Sequence, residues 1–175
     1  MAELVPDKPL KPCLVICPIG EEGTEERKRS NQVLKYIIEP IAKKCGFKAD
    51  RADEISKPGV ITTQIIDRLL NDELIIADLT SRNANVFYEL AVRHAIKKPV
   101  VQLIGADERI PFDVSSSRTI RFDWQDMASQ ENCRRLARGV LPPGWPPDDG
   151  PGPWQARHWP WTAATDHARR RPDER

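Results

Sequence analysis

The sequence predicts an α/β fold, a three-layer sandwich around a five-stranded parallel sheet. Three observations predict it. The short runs "CLVIC" (13–17), "LIIADL" (74–79) and "VVQLI" (100–104) are almost wholly apolar and rich in β-branched residues, as strands buried on both faces require. Between such runs lie segments whose apolar residues recur at helical spacing. The two patterns alternate along the chain, which builds βαβ units with helices on both faces of the sheet.

The first strand, "CLVIC", ends at Pro18 and Gly20. A helix follows from Ser30 to Cys45, with Val33, Leu34, Ile37, Ile38 and Ile41 on one face and Gly46 as its stop. Pro40 inside it predicts a kink. "FKADRA" (47–52) is a weaker strand, and residues 59–71 repeat the helical pattern through Ile61, Ile65, Ile66, Leu69 and Leu70. After "LIIADL" come a helix over 85–96, the strand "VVQLI", the strand "TIRF" (119–122) and a helix over 125–138. Five strands in this rhythm give the flavodoxin-like (Rossmannoid) order 2-1-3-4-5. In such sheets ligands bind beyond the carboxyl ends of the strands, near the switch between the first and third. Here those ends are "PIGEEG" (18–23), "ADEISKPG" (52–59) and "DLTSRNAN" (78–85).

The chain divides into an extension (1–12), one α/β domain (13–140) and a tail (141–175). In the tail stand Pro142, Pro143, Pro146, Pro147, Pro151, Pro153, Pro160 and Pro172, with Trp145, Trp154, Trp159 and Trp161. That density of proline predicts a disordered or loosely docked segment. A Trp- and Pro-rich strap around a partner or a second subunit is the other reading.

With 27 Lys and Arg against 26 Asp and Glu, the net charge of +1 gives no reason to expect a nucleic-acid or membrane-surface partner. Cys13, Cys17, Cys45 and Cys133 lack metal-ligand spacing, as do His94, His158 and His167, so neither a metal nor another cofactor is expected. Reduced thiols, and the absence of an apolar run of ~18 residues, predict a soluble cytoplasmic protein.

The stretch "ADLTSRNANVFYELAVRHA" (77–95) concentrates the candidate chemistry. Asp78 ends the third strand, where it either caps the next turn or looks into the pocket. Asn83 and Asn85 read first as cap and turn residues. The following helix carries apolar residues around most of its circumference, leaving an arc of Asn85, Glu89 and Arg93. Glu89 either pairs with Arg93 across one turn or, since helical side chains lean toward the N-terminus, points back at the loop leaving Asp78. Two carboxylates at one crevice, with protonation equilibria pushed apart, suit chemistry at an acetal carbon.

The segments "CPIGEEG", "ADEI", "GVITTQIIDRLLNDELIIADLT" and "NVFYELAVRHAIKKPVV" resemble the nucleoside 2-deoxyribosyltransferase-like superfamily, which includes nucleoside and nucleotide N-hydrolases. They are also similar to bacterial TIR-like proteins, whose catalytic glutamate occupies a similar place on the helix after the third strand. The resemblance spans about residues 13–123. It implies cleavage of an N-glycosidic bond, with Glu89 attacking the anomeric carbon and Asp78 assisting the departing base. Ile19, Gly20 and Gly23 would line the sugar, where glycine permits close backbone approach. Arg27, Lys28 and Arg29 would hold a 5′-phosphate at a helix start, although "EERKR" reads first as a solvated charge run.

Asp53 stands where a ribose hydroxyl is read, in what is also an ordinary polar loop. Arg118 is a further candidate for binding, and His94 is expected to be a packed core-edge residue. The sequence lacks a Gly-x-Ser phosphate signature and the serine-rich, Trp-containing stretch that precedes the glutamate in many TIR domains. The expected ligand is therefore a nucleoside, a nucleotide or NAD, and a homo-oligomer is expected. A TIR-like NAD hydrolase in antiphage defence and a non-catalytic nucleotide sensor are the competing functions; the paired carboxylates favour the glycosidic-bond enzyme over the sensor.

Overall fold

Five strands, β1 (Lys11–Ile16), β2 (Phe47–Arg51), β3 (Leu74–Asp78), β4 (Val100–Gly105) and β5 (Thr119–Phe122), pair in parallel in the order β2-β1-β3-β4-β5. This is the topology expected from the sequence. The computed structural model describes residues 9–54, 61–115 and 117–140, so the tail 141–175 and the start of the extension lie outside the described residues.

Alternation along each strand explains why the strand sequences are apolar throughout. Cys13 and Val15 of β1, Leu74 and Ile76 of β3, and Val101 and Leu103 of β4 face one side. There they meet α1 (Glu25–Val33), α2 (Glu39–Lys44) and α5 (Met127–Val140) through residues such as Val33, Ile41 and Cys133. Leu14, Ile16, Ile75, Ala77, Val100 and Ile104 face the other side. Against them pack Leu69 of α3 (Ile61–Asn71) and Val86 and Leu90 of α4 (Ala84–Ala95). Each such aliphatic side chain, fully buried, contributes about 1.5–3 kcal/mol.

Several sequence expectations need correction. The first helix begins at Glu25, not Ser30, because Thr24 caps it by accepting from the Arg27 N–H at 3.2 Å, with Glu25 and Glu26 in the first turn. The charged run offers no apolar periodicity by which to see that start. At Pro40 the helix changes type. A π-helical turn, Leu34–Ile38, passes without a break into α2, in whose first turn Pro40 lies. The Tyr36 carbonyl, to which a residue other than proline at 40 would donate, accepts instead from Arg134 Nη1 of α5 at 2.7 Å. Gly46, at φ +81°, ends the helix as expected.

The helix α4 is not buried all round. Ala84, Tyr88, Ala91 and Ala95 form an exposed row, while Arg93, expected on the polar arc, is fully buried. Its guanidinium donates to three carbonyls: Leu69 at 2.8 Å, Glu73 at 2.9 Å and Pro99 at 3.1 Å. The end of α3, the turn into β3 and the entry to β4 are tied together at that one side chain. Among the described residues no helix is long and apolar enough to cross a membrane, and no group of His, Cys, Asp and Glu is placed to hold a metal ion.

Candidate active site

Parallel strands put all their carboxyl ends on one edge, and Asp78 stands there at the end of β3. Leu74 and Ile76 face the α1/α5 side, so Asp78, two residues further, does too. It is completely buried. Its Oδ1 accepts from the Thr80 N–H at 3.0 Å and from Thr80 Oγ1 at 2.5 Å. Its Oδ2 lies 3.0 Å from Arg29 Nη1. The two charges are adjacent but poorly aligned, so neither terminal nitrogen of Arg29 nor Oδ2 has a hydrogen-bond partner.

The solvated-run reading of Arg27, Lys28 and Arg29 therefore fails for two of the three. Arg29 is only 8% exposed, and Arg27 pairs with Asp53 at 2.8 Å. Lys28 is exposed, 3.6 Å from Glu25. Helical spacing explains the split, since Arg29, Ser30 and Val33 share the inward face of α1. Ser30 accepts from Arg51 Nη1 at 3.0 Å, and Cys17 Sγ lies 3.6 Å from the same hydroxyl. Burial pushes the Cys17 thiol up to about 12, which leaves it no thiolate character at neutral pH.

Asp53 lies in the short turn after β2. Arg51 holds it with Nε at 2.6 Å and Nη2 at 3.0 Å. Burial alone raises its carboxyl, but the Arg51 and Arg27 guanidiniums outweigh burial and hold it below the usual carboxylate range.

Glu89 is differently placed. Asn83 caps α4, its Oδ1 accepting from the Asn85 N–H at 3.0 Å, and Asn85 itself is exposed. His94, half-buried as a core-edge residue, lies 3.1 Å from Gln102 of β4 and fixes the rotation of the helix. Glu89, five residues back, is turned about 140° around the axis, onto the flank away from β4 and toward β1 and α3. Its side chain is half-buried, and no described residue bonds to it; the Arg93 that might have paired with it is committed to three carbonyls. Burial without a compensating charge pushes its carboxyl up to about 7. Such a group is poised between acid and nucleophile at neutral pH.

Asp78 and Glu89 thus stand in different layers, Asp78 on the α1/α5 face at the carboxyl end of β3 and Glu89 on α4, across the sheet. The β1 loop lies between β1 and α1. Ile19 is half-buried, and a Cβ on Gly20 (φ +73°) would come within 2.7 Å of the Arg27 backbone nitrogen. The close approach at Gly20 is therefore to the first turn of α1. Gly23 (φ +83°) is exposed with open space around it. Arg118 precedes the amino end of β5 and is exposed, so the structure does not bring it to the carboxyl edge.

Sequence reasoning missed a cavity of about 360 Å³ beside the Asp78–Arg29 pair, lined from the ends of β3, β4 and β5. Its signals were Gly105 closing an apolar strand and the aromatic, acidic "FDWQD" closing another.

No protein-family model and no curated protein matches the chain. Among solved structures it is similar to a CMP N-glycosidase of Clostridium botulinum, BcmB, with 16% identity and a TM-score of 0.47 over 72% of this chain and 97% of that one. It is also similar to a 2-deoxyribosyltransferase of Leishmania mexicana (19%, TM-score 0.43, 57% and 67% of the two chains). A third is a 2-deoxyribosyltransferase of the psychrotolerant bacterium Bacillus psychrosaccharolyticus (15%, TM-score 0.47, 68% and 95%).

Proposed function

We propose that this protein cleaves an N-glycosidic bond of a nucleoside or nucleotide, with Glu89 as the nucleophile. The observation that carries the reading is a half-buried glutamate, without a bonding partner among the described residues and raised to about 7, on the helix that follows β3. A carboxylate kept for structure is normally paired; one left unpaired at such a place is better suited to reaction.

In the first step a Glu89 carboxylate oxygen bonds to C1′ while the C1′–N bond breaks, its electron pair leaving with the base, which takes a proton from solvent. In the second, water attacks C1′, gives up a proton and releases Glu89; a second base in place of water gives transfer. Asp78, with two donors on Oδ1 and a guanidinium at Oδ2, serves in this reading to position Arg29 and the β3–α4 turn. Ile19, Gly20 and Asp53 flank the sugar, with Asn83 and Asn85 shaping the turn; Gly23 and Arg118 take no direct part. The exposed row of Ala84, Tyr88, Ala91 and Ala95 offers the surface for self-association.

The test is to incubate the full chain with nucleosides, 2′-deoxynucleosides, their 5′-monophosphates and NAD, and to follow free base or nicotinamide by chromatography. Release from one nucleoside or nucleotide class, rising with pH through about 7 as Glu89 ionises, is expected. No release from any of them overturns the reading, and release from NAD alone replaces it with an NAD hydrolase.

A further inference from the structure

The turn that joins β3 to α4, Thr80–Arg82, is held in a strained conformation. Among the described residues other than glycine, three have a positive φ, and two of the three are neighbours in this turn: Ser81 at 64° and Arg82 at 49°. That left-handed region is costly for a residue with a Cβ, and all the more so twice in succession. Both residues are exposed, so burial of their side chains does not keep the backbone there. Such strain persists only where the surroundings over-determine it, and it gathers at functional sites.

The loop after β4 does the holding. Each residue of the turn bonds across to it: the Gly105 N–H donates to Thr80 Oγ1 at 3.0 Å, the Ser81 N–H donates to Glu108 Oε1 at 2.8 Å, and Arg82 Nη2 donates to the Arg109 carbonyl at 3.5 Å. The bond at Ser81 is the shortest of the three and the one that uses a carboxyl group; charge-assisted bonds are the stronger kind. The loop that carries Glu108 is fixed without that side chain. Arg121 Nη1 donates to the carbonyls of Ala106 at 2.8 Å and Glu108 at 2.7 Å, and the Glu108 N–H donates to the Gly105 carbonyl at 3.1 Å. Glu108 therefore meets the turn from a braced frame, and removing its carboxyl group takes away the tie to Ser81 alone.

The turn leads straight into α4. Asn83, the next residue, caps that helix, and the Phe87 N–H donates to the Asn83 carbonyl at 3.2 Å in its first turn. Glu89 lies one turn further on, so a shift of the β3–α4 turn carries through to it. We propose that Glu108 is a positioning residue for the cleavage step: through the Ser81 N–H it holds the left-handed turn from which α4 departs, and with it the seat of Glu89. The inference rests on the nucleophilic role proposed for Glu89. A misplacement of about 1 Å, even from a change far from the reacting atoms, can cost on the order of 10²-fold in rate.

Steady-state kinetics and amide hydrogen exchange of the full chain, at a temperature where every variant is folded, test this. Glu108→Ala is expected to lower kcat on the order of tenfold or more with KM little changed. Glu108→Gln, whose amide oxygen still accepts from the Ser81 N–H, should keep most of the rate. Adding Ser81→Gly to Glu108→Ala should restore much of the loss, because glycine takes the left-handed conformation without a brace. Exchange at the Ser81 and Phe87 amides should quicken in Glu108→Ala. An unchanged kcat in Glu108→Ala, a rise in KM alone, or a loss that neither Glu108→Gln avoids nor Ser81→Gly repairs would each overturn the proposal. Should the wild type turn over no substrate, the cleavage reading fails by itself and exchange alone decides the brace: quickened exchange at Ser81 and Phe87 upholds it, and unmoved exchange overturns it.

Discussion

Glu89→Gln is expected to lower base release on the order of 10³-fold or more while making the protein more stable at alkaline pH. The loss follows because the amide has nearly the shape of the carboxyl but no nucleophilic oxygen anion. The gain in stability has a definite sign. In the folded protein Glu89 keeps its proton up to about 7, whereas an unperturbed glutamate releases it near 4.5. Between those values the folded state binds more protons than the unfolded one, so wild-type stability falls as the pH rises through the window. Glutamine is free of that burden. The melting temperatures of the two proteins should coincide near pH 4.5 and separate fully above pH 7, where their stabilities differ by on the order of 1 kcal/mol after discounting for the solvent that reaches a half-buried carboxyl. Melting curves across that range check it. Equal melting temperatures at every pH would mean that Glu89 is not held in an uncompensated site.

Arg93→Met is expected to destabilise the fold by about 3–5 kcal/mol, a large share of the roughly 5–15 kcal/mol that a domain has. Methionine approaches the volume of the arginine stem but donates nothing. The carbonyls of Leu69, Glu73 and Pro99 would stay in the dry interior without their donors, at about 1–3 kcal/mol each. Burial lowers the arginine to about 10, which still leaves it charged at neutral pH. Arg93→Lys keeps a charge and loses the planar fork, so it should recover only a small part of the stability. Urea unfolding midpoints read both variants. If lysine restores the full midpoint, charge rather than the three-pronged geometry is what holds α3, β3 and β4 together.

The strands were legible in the sequence because burial on both faces leaves no polar residue to interrupt the pattern, and their alternation with helices led directly to the sheet order. Local chemistry was legible as well: Asn83 as the cap of α4 and Gly46 as the stop after α2 act within a few residues of where they stand. Arg93 was not legible. At helical spacing from Glu89 it looked like half of a surface pair, and only the folded chain brings its three carbonyl partners around it. Arg29 was hidden in the same way, since in "EERKR" nothing local marks the one cation that turns inward to Asp78. The cavity is harder still to foresee, being made of loops after β4 and β5 that meet only because those strands pair in register, Gly105 beside Phe122. Glu89 itself was readable as a candidate, while its lack of a partner among the described residues became visible only once Arg93 was seen to be occupied.

Covalent capture tests the role of Glu89 most directly. A 2′-deoxy-2′-fluoro analogue of whichever nucleoside is cleaved slows release of the sugar from the enzyme, because fluorine destabilises the oxocarbenium-like transition state. Trypsin, cutting after Arg82 and Arg93, isolates Glu89 on the peptide "NANVFYELAVR". Mass spectrometry of wild type quenched during turnover is expected to find one sugar on that peptide, attached at Glu89. Base released from the analogue while that peptide stays unmodified, or a sugar carried on a different peptide, would contradict nucleophilic attack by Glu89.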